Sequence, residues 1–385
     1  GPPELPFNKP SGVYVDNDGA IFVSDTGNNR IVHLSSDGEY VEEFVRPESE
    51  LLEKDFVFNP KTVYISPTGF IYCIRHQSLM IIDVKNNFRG YVGTADIGFD
   101  LTWFMVRIFA TQEQKRSVIK KQAPPFTNFV IADEGEIYAT TLDNRFGQIK
   151  KINSIGKNLY PAGEYGEKVV DTKTNTEFSP YLVDIAVDKK GIISVLQQNS
   201  GRIYQYDQEG NMLASFGGIG ERIGQFKMPV SLTVDNDGYI YVLDKELESI
   251  QVFKPTRYIN LIHEGTCLYY DGKYLEAQKV WREVLLFNNN CKLAHKGLGK
   301  SLIKDEQWKE AMEEYRAGSD KSGYSSAFVK YRYNIIRENF GWLLLAICIV
   351  VYLLIVISKT LRRFSDNMID IFGEKKGGSR KHGIF

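Results

Sequence analysis

Residues 12–39 read GVYVDNDGAIFVSDTGNNRIVHLSSDGE, and this stretch decides the fold. Val13 and Val15, then Ile21 and Val23, recur at every second position. Period two sends one face of an extended strand inward and the other outward. Between the two runs stands Asp16-Asn17-Asp18-Gly19. A tight hairpin needs a residue at positive φ there, which glycine adopts without steric cost. The Asp16 side chain can bond the turn's own amides. A third strand follows from Arg30.

The same unit returns four times, from Thr62, Asn128, Asp184 and Ser231. Its turn glycines are Gly19, Gly69, Gly135, Gly191 and Gly238, and Asp188 and Asp235 repeat the role of Asp16. A short sheet with two apolar faces cannot bury both alone. Neighbouring sheets must stack, and radial stacking of such repeats gives a β-propeller.

The array resembles NHL-repeat propellers across roughly residues 8–255. The first unit carries D-x-x-N-x-R-I as Asp25, Asn28, Arg30 and Ile31. The fourth keeps Arg202 and Ile203, the fifth Asp244 and Ile250, while the second and third depart from the motif. The resemblance implies six blades when complete, against five visible repeats. The chain opens GPPELPFNKP, without a basic and apolar leader and almost inside a repeat, so further sequence is expected upstream.

An insertion at about 94–124 interrupts the array. Its first half is apolar, including Trp103, Phe104, Ile108 and Phe109, and Thr111 with Gln114 resembles a capping box. Two readings stand: a helical hairpin packed on the propeller edge, or a surface that grips a partner or dips into lipid.

After Pro255 the periodicity turns helical. A 34-residue offset pairs Gly265 with Gly299, Ala277 with Ala311 and Trp281 with Tyr315. Small residues sit where helices cross closely, and aromatics fill the adjoining holes. This pattern resembles tetratricopeptide repeats, two of them over about 257–324, with a capping helix after. The expected domains are therefore a propeller over 1–255 and two such repeats plus the capping helix over 256–338.

Residues 341–358 read GWLLLAICIVVYLLIVIS, without a charge or proline. That is close to the ~20 apolar residues needed to cross a bilayer. A single transmembrane helix is expected over 339–359, with a basic tail over 360–385. Lys359, Arg362 and Arg363 follow the run more densely than Lys330, Arg332 and Arg337 precede it. The positive-inside rule then places the tail in the cytoplasm and the N-terminal domains outside the cytoplasmic membrane.

Net charge is −1 overall, but residues 1–258 hold 27 Lys and Arg against 34 Asp and Glu. An acidic body is a poor binder of phosphate backbones, so no nucleic-acid partner is expected. That disfavours the RNA binding some NHL propellers perform. Cys73, Cys267, Cys291 and Cys348 show no metal spacing and no expected pairing. His33 and His76 lie on different repeats and would meet only by convergence in a ring. No P-loop, G-x-S-x-G or H-E-x-x-H is present, and no cofactor is expected. The expected function is a membrane-anchored, non-catalytic scaffold of unassigned oligomeric state, with protein partners. The chain resembles bacterial membrane proteins that join such a propeller to such helical repeats. That resemblance implies an accessory role beside a sugar-uptake transporter. The alternative is a lactonase- or lyase-like propeller with a metal in its channel, for which Asp133, Asp143, Glu177 and Asp184 are candidates by location only.

Overall fold

The computed structural model describes residues 6–377, apart from 50–51, 53–54, 67, 93–124, 133–134, 143–146, 155 and 172. The chain divides into two compact units between Asp271 and Gly272.

The first unit is a five-bladed propeller. Blade 1 comprises β1 (Gly12–Val15), β2 (Ile21–Asp25), β3 (Arg30–Leu34) and β4 (Tyr40–Phe44). Blade 2 comprises β5 (Pro60–Ile65), β6 (Ile71–Arg75), β7 (Ser78–Ile82) and β8 (Phe88–Tyr91). Blade 3 has three strands, β9 (Phe126–Ile131), β10 (Ile137–Thr141) and β11 (Ile149–Ile152). A separate hairpin follows, β12 (Val169–Asp171) with β13 (Thr176–Phe178). Blade 4 comprises β14 (Leu182–Val187), β15 (Ile193–Gln197), β16 (Arg202–Tyr206) and β17 (Met212–Gly217). Blade 5 has β18 (Pro229–Val234), β19 (Ile240–Asp244) and β20 (Ser249–Phe253). Within each blade, sequential strands pair antiparallel.

The turns form as the residues demand. Gly19 sits at φ 85° and Gly238 at φ 82°. Asp16 Oδ1 accepts from the amides of Asp18 and Ala20 at 2.9 and 2.8 Å. Asp188 and Asp235 do the same in their own turns.

Among the described residues, four apolar layers hold the blades together. Phe22 and Ile31 meet Val63 and Met80 between blades 1 and 2. Ile74 and Leu79 meet Ile131 and Ile137 between blades 2 and 3. Tyr138 and Ile149 meet Ile185 and Val195 between blades 3 and 4. Leu196 and Ile203 meet Leu232 and Val242 between blades 4 and 5. On the outer face of the last blade Ile250 is 62% exposed and Val252 53%, whereas on that of the first Val13 is 68% exposed but Val23 and Val32 are buried. The six blades expected from the family pattern are thus five among the described residues.

Helix α1 (Arg257–Tyr270) falls in the first compact unit. Thr256 caps it by accepting from the Ile259 amide at 3.3 Å. Its buried face includes Leu261, Ile262 and His263. His263 Nε2 lies 3.1 Å from Gln205 Oε1 on β16, and Cys267 Sγ donates to the Lys190 carbonyl. Packing against blade 4 outweighs sequence proximity to the later helices.

The second unit comprises α2 (Tyr274–Phe287), α3 (Lys292–Lys304), α4 (Trp308–Ala317), α5 (Lys321–Glu338) and α6 (Phe340–Gly377). From α2 to α5, each helix packs on the next. Ala277 and Ala311 are fully buried, as are nearly all of Trp281 and Tyr315. A Cβ on Gly297 would fall 2.5 Å from the Trp281 ring, and one on Gly299 3.1 Å from the Tyr315 ring. The helix expected to end at 359 runs on to Gly377. Residues 359–372 hold no proline or glycine, so nothing local interrupts the backbone ladder.

Candidate interaction surfaces

The NHL signature residues form a staple. Asp25 closes β2 and is wholly buried. Its Oδ1 accepts from the Asn8 amide at 2.7 Å, and its Oδ2 from Asn28 Nδ2 and Arg30 Nε, each at 2.8 Å. Arg30 also donates to Glu43 Oε2 at 2.8 Å. Burial pushes the Asp25 carboxyl up, but the bonds from Asn8, Asn28 and Arg30 outweigh it and hold the group below its ordinary value. These side chains fasten the segment that leads into β1.

Other blades perform this task with different residues at the end of the second strand. Asp244 accepts from the amides of Lys227, Glu246 and Leu247. Gln197 accepts from the Glu167 amide at 2.9 Å and donates to the Glu167 carbonyl at 2.7 Å. Arg75 donates to the Val57 carbonyl at 2.7 Å. Sequence comparison missed Gln197 and Arg75 because backbone can be gripped through either its N–H or its C=O. Donor and acceptor side chains thus serve one architectural role.

The channel candidates do not gather. Asp133 and Asp143 lie outside the described residues, as do Trp103, Phe104, Ile108, Phe109, Thr111 and Gln114. Glu177 is exposed on β13, 3.5 Å from Lys168 Nζ. Asp184 is buried, and both its oxygens are engaged. Oδ1 accepts from Asn128 Nδ2 and the Ile185 amide, and Oδ2 from Ser231 Oγ and the Leu232 amide, each of the latter two at 2.7 Å. Burial pushes its pKa up to about 6, against the lowering effect of those bonds. Asp184 therefore ties β9, β14 and β18 together. His33 stacks on Phe22 and faces Glu42, while His76 occupies the β6–β7 turn at φ 54°. Among the described residues, no group of three His, Cys, Asp or Glu side chains is placed to hold a metal. The four cysteines are free.

Two exposed features stand out among the described residues. One is a shallow depression of about 530 Å³ beside the β12–β13 hairpin, lined by Val169, Glu177, Phe178, Ser179, Tyr181 and Asn199. Asn199 shapes its wall by accepting from the Tyr181 amide and donating to the Ser179 carbonyl. Phe178 is 50% exposed on its rim. The other is α6. The most apolar 18-residue window within its stretch Phe340–Phe364 has a mean hydropathy of 3.0, and none of that window is buried among the described residues. By length and composition this helix is able to cross a membrane.

The family model for the NHL repeat matches residues 7–34, which span β1 to β3. Virginiamycin B lyase from Staphylococcus aureus is similar at 15% identity, over 64% of this chain and 71% of its own, with a TM-score of 0.37. A streptogramin B lyase is similar at 13% identity, over 66% of this chain and 85% of its own, with a TM-score of 0.38. A protein of unknown function from Bacteroides thetaiotaomicron matches at 13% identity, over 62% and 53%, with a TM-score of 0.39. Likeness this distant carries no argument about activity. The chain thus bears an NHL repeat in its first blade and builds five blades on that plan.

Proposed function

We propose that this protein is a membrane-anchored, non-catalytic interaction protein, with the propeller as its binding module. The observation that carries the reading is α6, whose apolar window within Phe340–Phe364 is left unburied by the described residues. An 18-residue helical window with mean hydropathy 3.0 left in water would be strongly unfavourable, and a bilayer removes that cost. Beside it, the consumption of Asp184 by hydrogen bonds removes one candidate metal ligand from the channel.

Residues 272–338 act in this reading as tetratricopeptide-like helices that link the propeller to the membrane helix. The small residues Ala277, Gly299 and Ala311 against Trp281 and Tyr315 support that assignment. The basic cluster Lys359, Arg362 and Arg363 orients the tail toward the cytoplasm and the propeller away from it. Partners are then extracytoplasmic or membrane proteins. The resemblance to bacterial propeller–helical-repeat membrane proteins points to a sugar-uptake transporter, with the Phe178 and Tyr181 depression as the first surface to test.

Alkaline extraction of membranes from cells expressing the full chain tests the anchor, with retention in the pellet expected. Labelling of Cys291 by a membrane-impermeant maleimide in intact cells tests the orientation. Recovery in the alkaline supernatant overturns the membrane reading. Retention together with Cys291 labelling only after lysis overturns the orientation.

A further inference from the structure

From Val329 to Phe364, every position reached by alternating steps of four and three residues is apolar. The series begins Val329, Tyr333, Ile336 and ends Ile357, Leu361, Phe364. All these side chains are exposed: Tyr333 68%, Leu361 63% and Phe364 67%. Within 340–358 almost any spacing would meet apolar residues, so that part carries no weight. The information lies in the flanks. Before the span, Lys330, Arg332, Asn334 and Arg337 stand off the series, alongside Tyr331 and Ile335. After it, Lys359, Thr360, Arg362 and Arg363 do the same. The series thus stays apolar through both flanks, and after the span every residue off it from 359 to 363 is charged or polar.

The backbone supports one register across both helices. Asn339 separates α5 from α6, yet its amide donates to the Ile335 carbonyl at 3.0 Å and its carbonyl accepts from the Leu343 amide at 3.0 Å. Helix α6 is 38 residues long, about 57 Å at the helical rise, against a hydrocarbon core of about 30 Å. Part of the helix therefore stands in water or headgroups, where exposed Leu361 and Phe364 are unfavourable.

A 3.5-residue apolar repeat is the pattern by which helices pack against parallel copies of themselves. We infer that the chain self-associates in parallel through this seam, with a second copy covering Tyr333, Ile336, Leu361 and Phe364. The inference rests on the membrane reading, which gives every copy the same direction. The lyase-like channel and the partner depression play no part in it.

The test uses the full chain with its four cysteines replaced, reconstituted in phosphatidylcholine vesicles. Single cysteines are placed on the seam by Tyr333→Cys and Leu361→Cys, and off it by Asn334→Cys and Arg362→Cys. Mild oxidation is expected to give disulfide-linked pairs several-fold faster at 333 and 361 than at 334 and 362. Equal rates at all four positions, or no cross-linking, overturn the seam. So does cross-linking on one flank only. Alkaline extraction of the same vesicles reads the anchor separately. Protein retained without seam cross-links sinks this inference alone, and protein stripped from the vesicles sinks the membrane reading beneath it.

Discussion

The Ser231 hydroxyl on β18 donates to the Asp184 carboxylate on β14 at 2.7 Å, joining the inner strands of blades 4 and 5 by a side chain. Asn128 on β9 reaches the same carboxylate from blade 3. Replacing Asp184 by Ala strands donors from Asn128, Ser231, Ile185 and Leu232. The expected loss is about 3 kcal/mol or more, read by chemical denaturation of the propeller unit in the full chain.

Asp184 also makes stability depend on pH. Its folded pKa of about 6 lies above its ordinary value of 3.8. The folded state therefore binds this proton more tightly than the unfolded chain does. The penalty of a buried, ionised carboxylate is present above pH 6 and is relieved as pH falls from about 6 toward 4. The advantage of the native protein over Asp184→Asn should grow between pH 7 and pH 5, by at most about 1.4 kcal/mol per unit. A constant difference across that range would show that the carboxylate is not titrating there.

Arg30 and Asp25 form a buried pair, their side chains 5% and 0% exposed. Arg30→Met should destabilise blade 1 by about 3–5 kcal/mol, because it leaves the Asp25 charge unpaired. The Asp25 pKa is held below its ordinary 3.8, so its contribution is present above that value and fades as pH drops through and below it. Denaturation of Arg30→Met should then differ less from the native protein at pH 3 than at pH 7.

Gly297 leaves no room for a Cβ beside Trp281. Gly297→Ala should cost about 1–3 kcal/mol through overpacking. Adding Trp281→Leu opens the space that the new methyl needs. The double variant should lose less than the sum of the single losses, with a coupling above about 0.5 kcal/mol in a double-mutant cycle. Additive losses would mean that the two side chains do not share this space.

Ile349→Arg with Leu353→Arg places two charges in the apolar stretch of α6. Each costs about 2.5–3.5 kcal/mol at the centre of a bilayer span. The double variant should move from the alkali-resistant pellet to the supernatant. Unchanged fractionation would mean that this stretch does not hold the protein in the membrane.

The five blades were legible because the cues are local. Alternation at Ile21 and Val23 or Ile240 and Val242, with a glycine at the turn, is written within a few residues. The signature triad Asp25, Asn28 and Arg30 was legible as a motif, though not as a staple on the Asn8 amide. The equivalent work of Gln197 and Arg75 was not legible, since neither resembles aspartate. The depression at Phe178 and Tyr181 was missed as well. It depends on Asn199, which is distant in sequence and brought close by blade 4.

Sequence by itself determined the strand units, the turn chemistry, the apolar run and the change to helical periodicity after Pro255. Each of these follows from residues that touch their near neighbours along the chain. Tertiary structure alone decided that Asp184 is a joint between three blades rather than an open ligand. It alone assigned α1 to the propeller, through the contact of His263 with Gln205. Both outcomes turn on burial and on partners tens of residues away. A side chain's availability depends on which donors folding brings to it, and spacing along the chain does not contain that information.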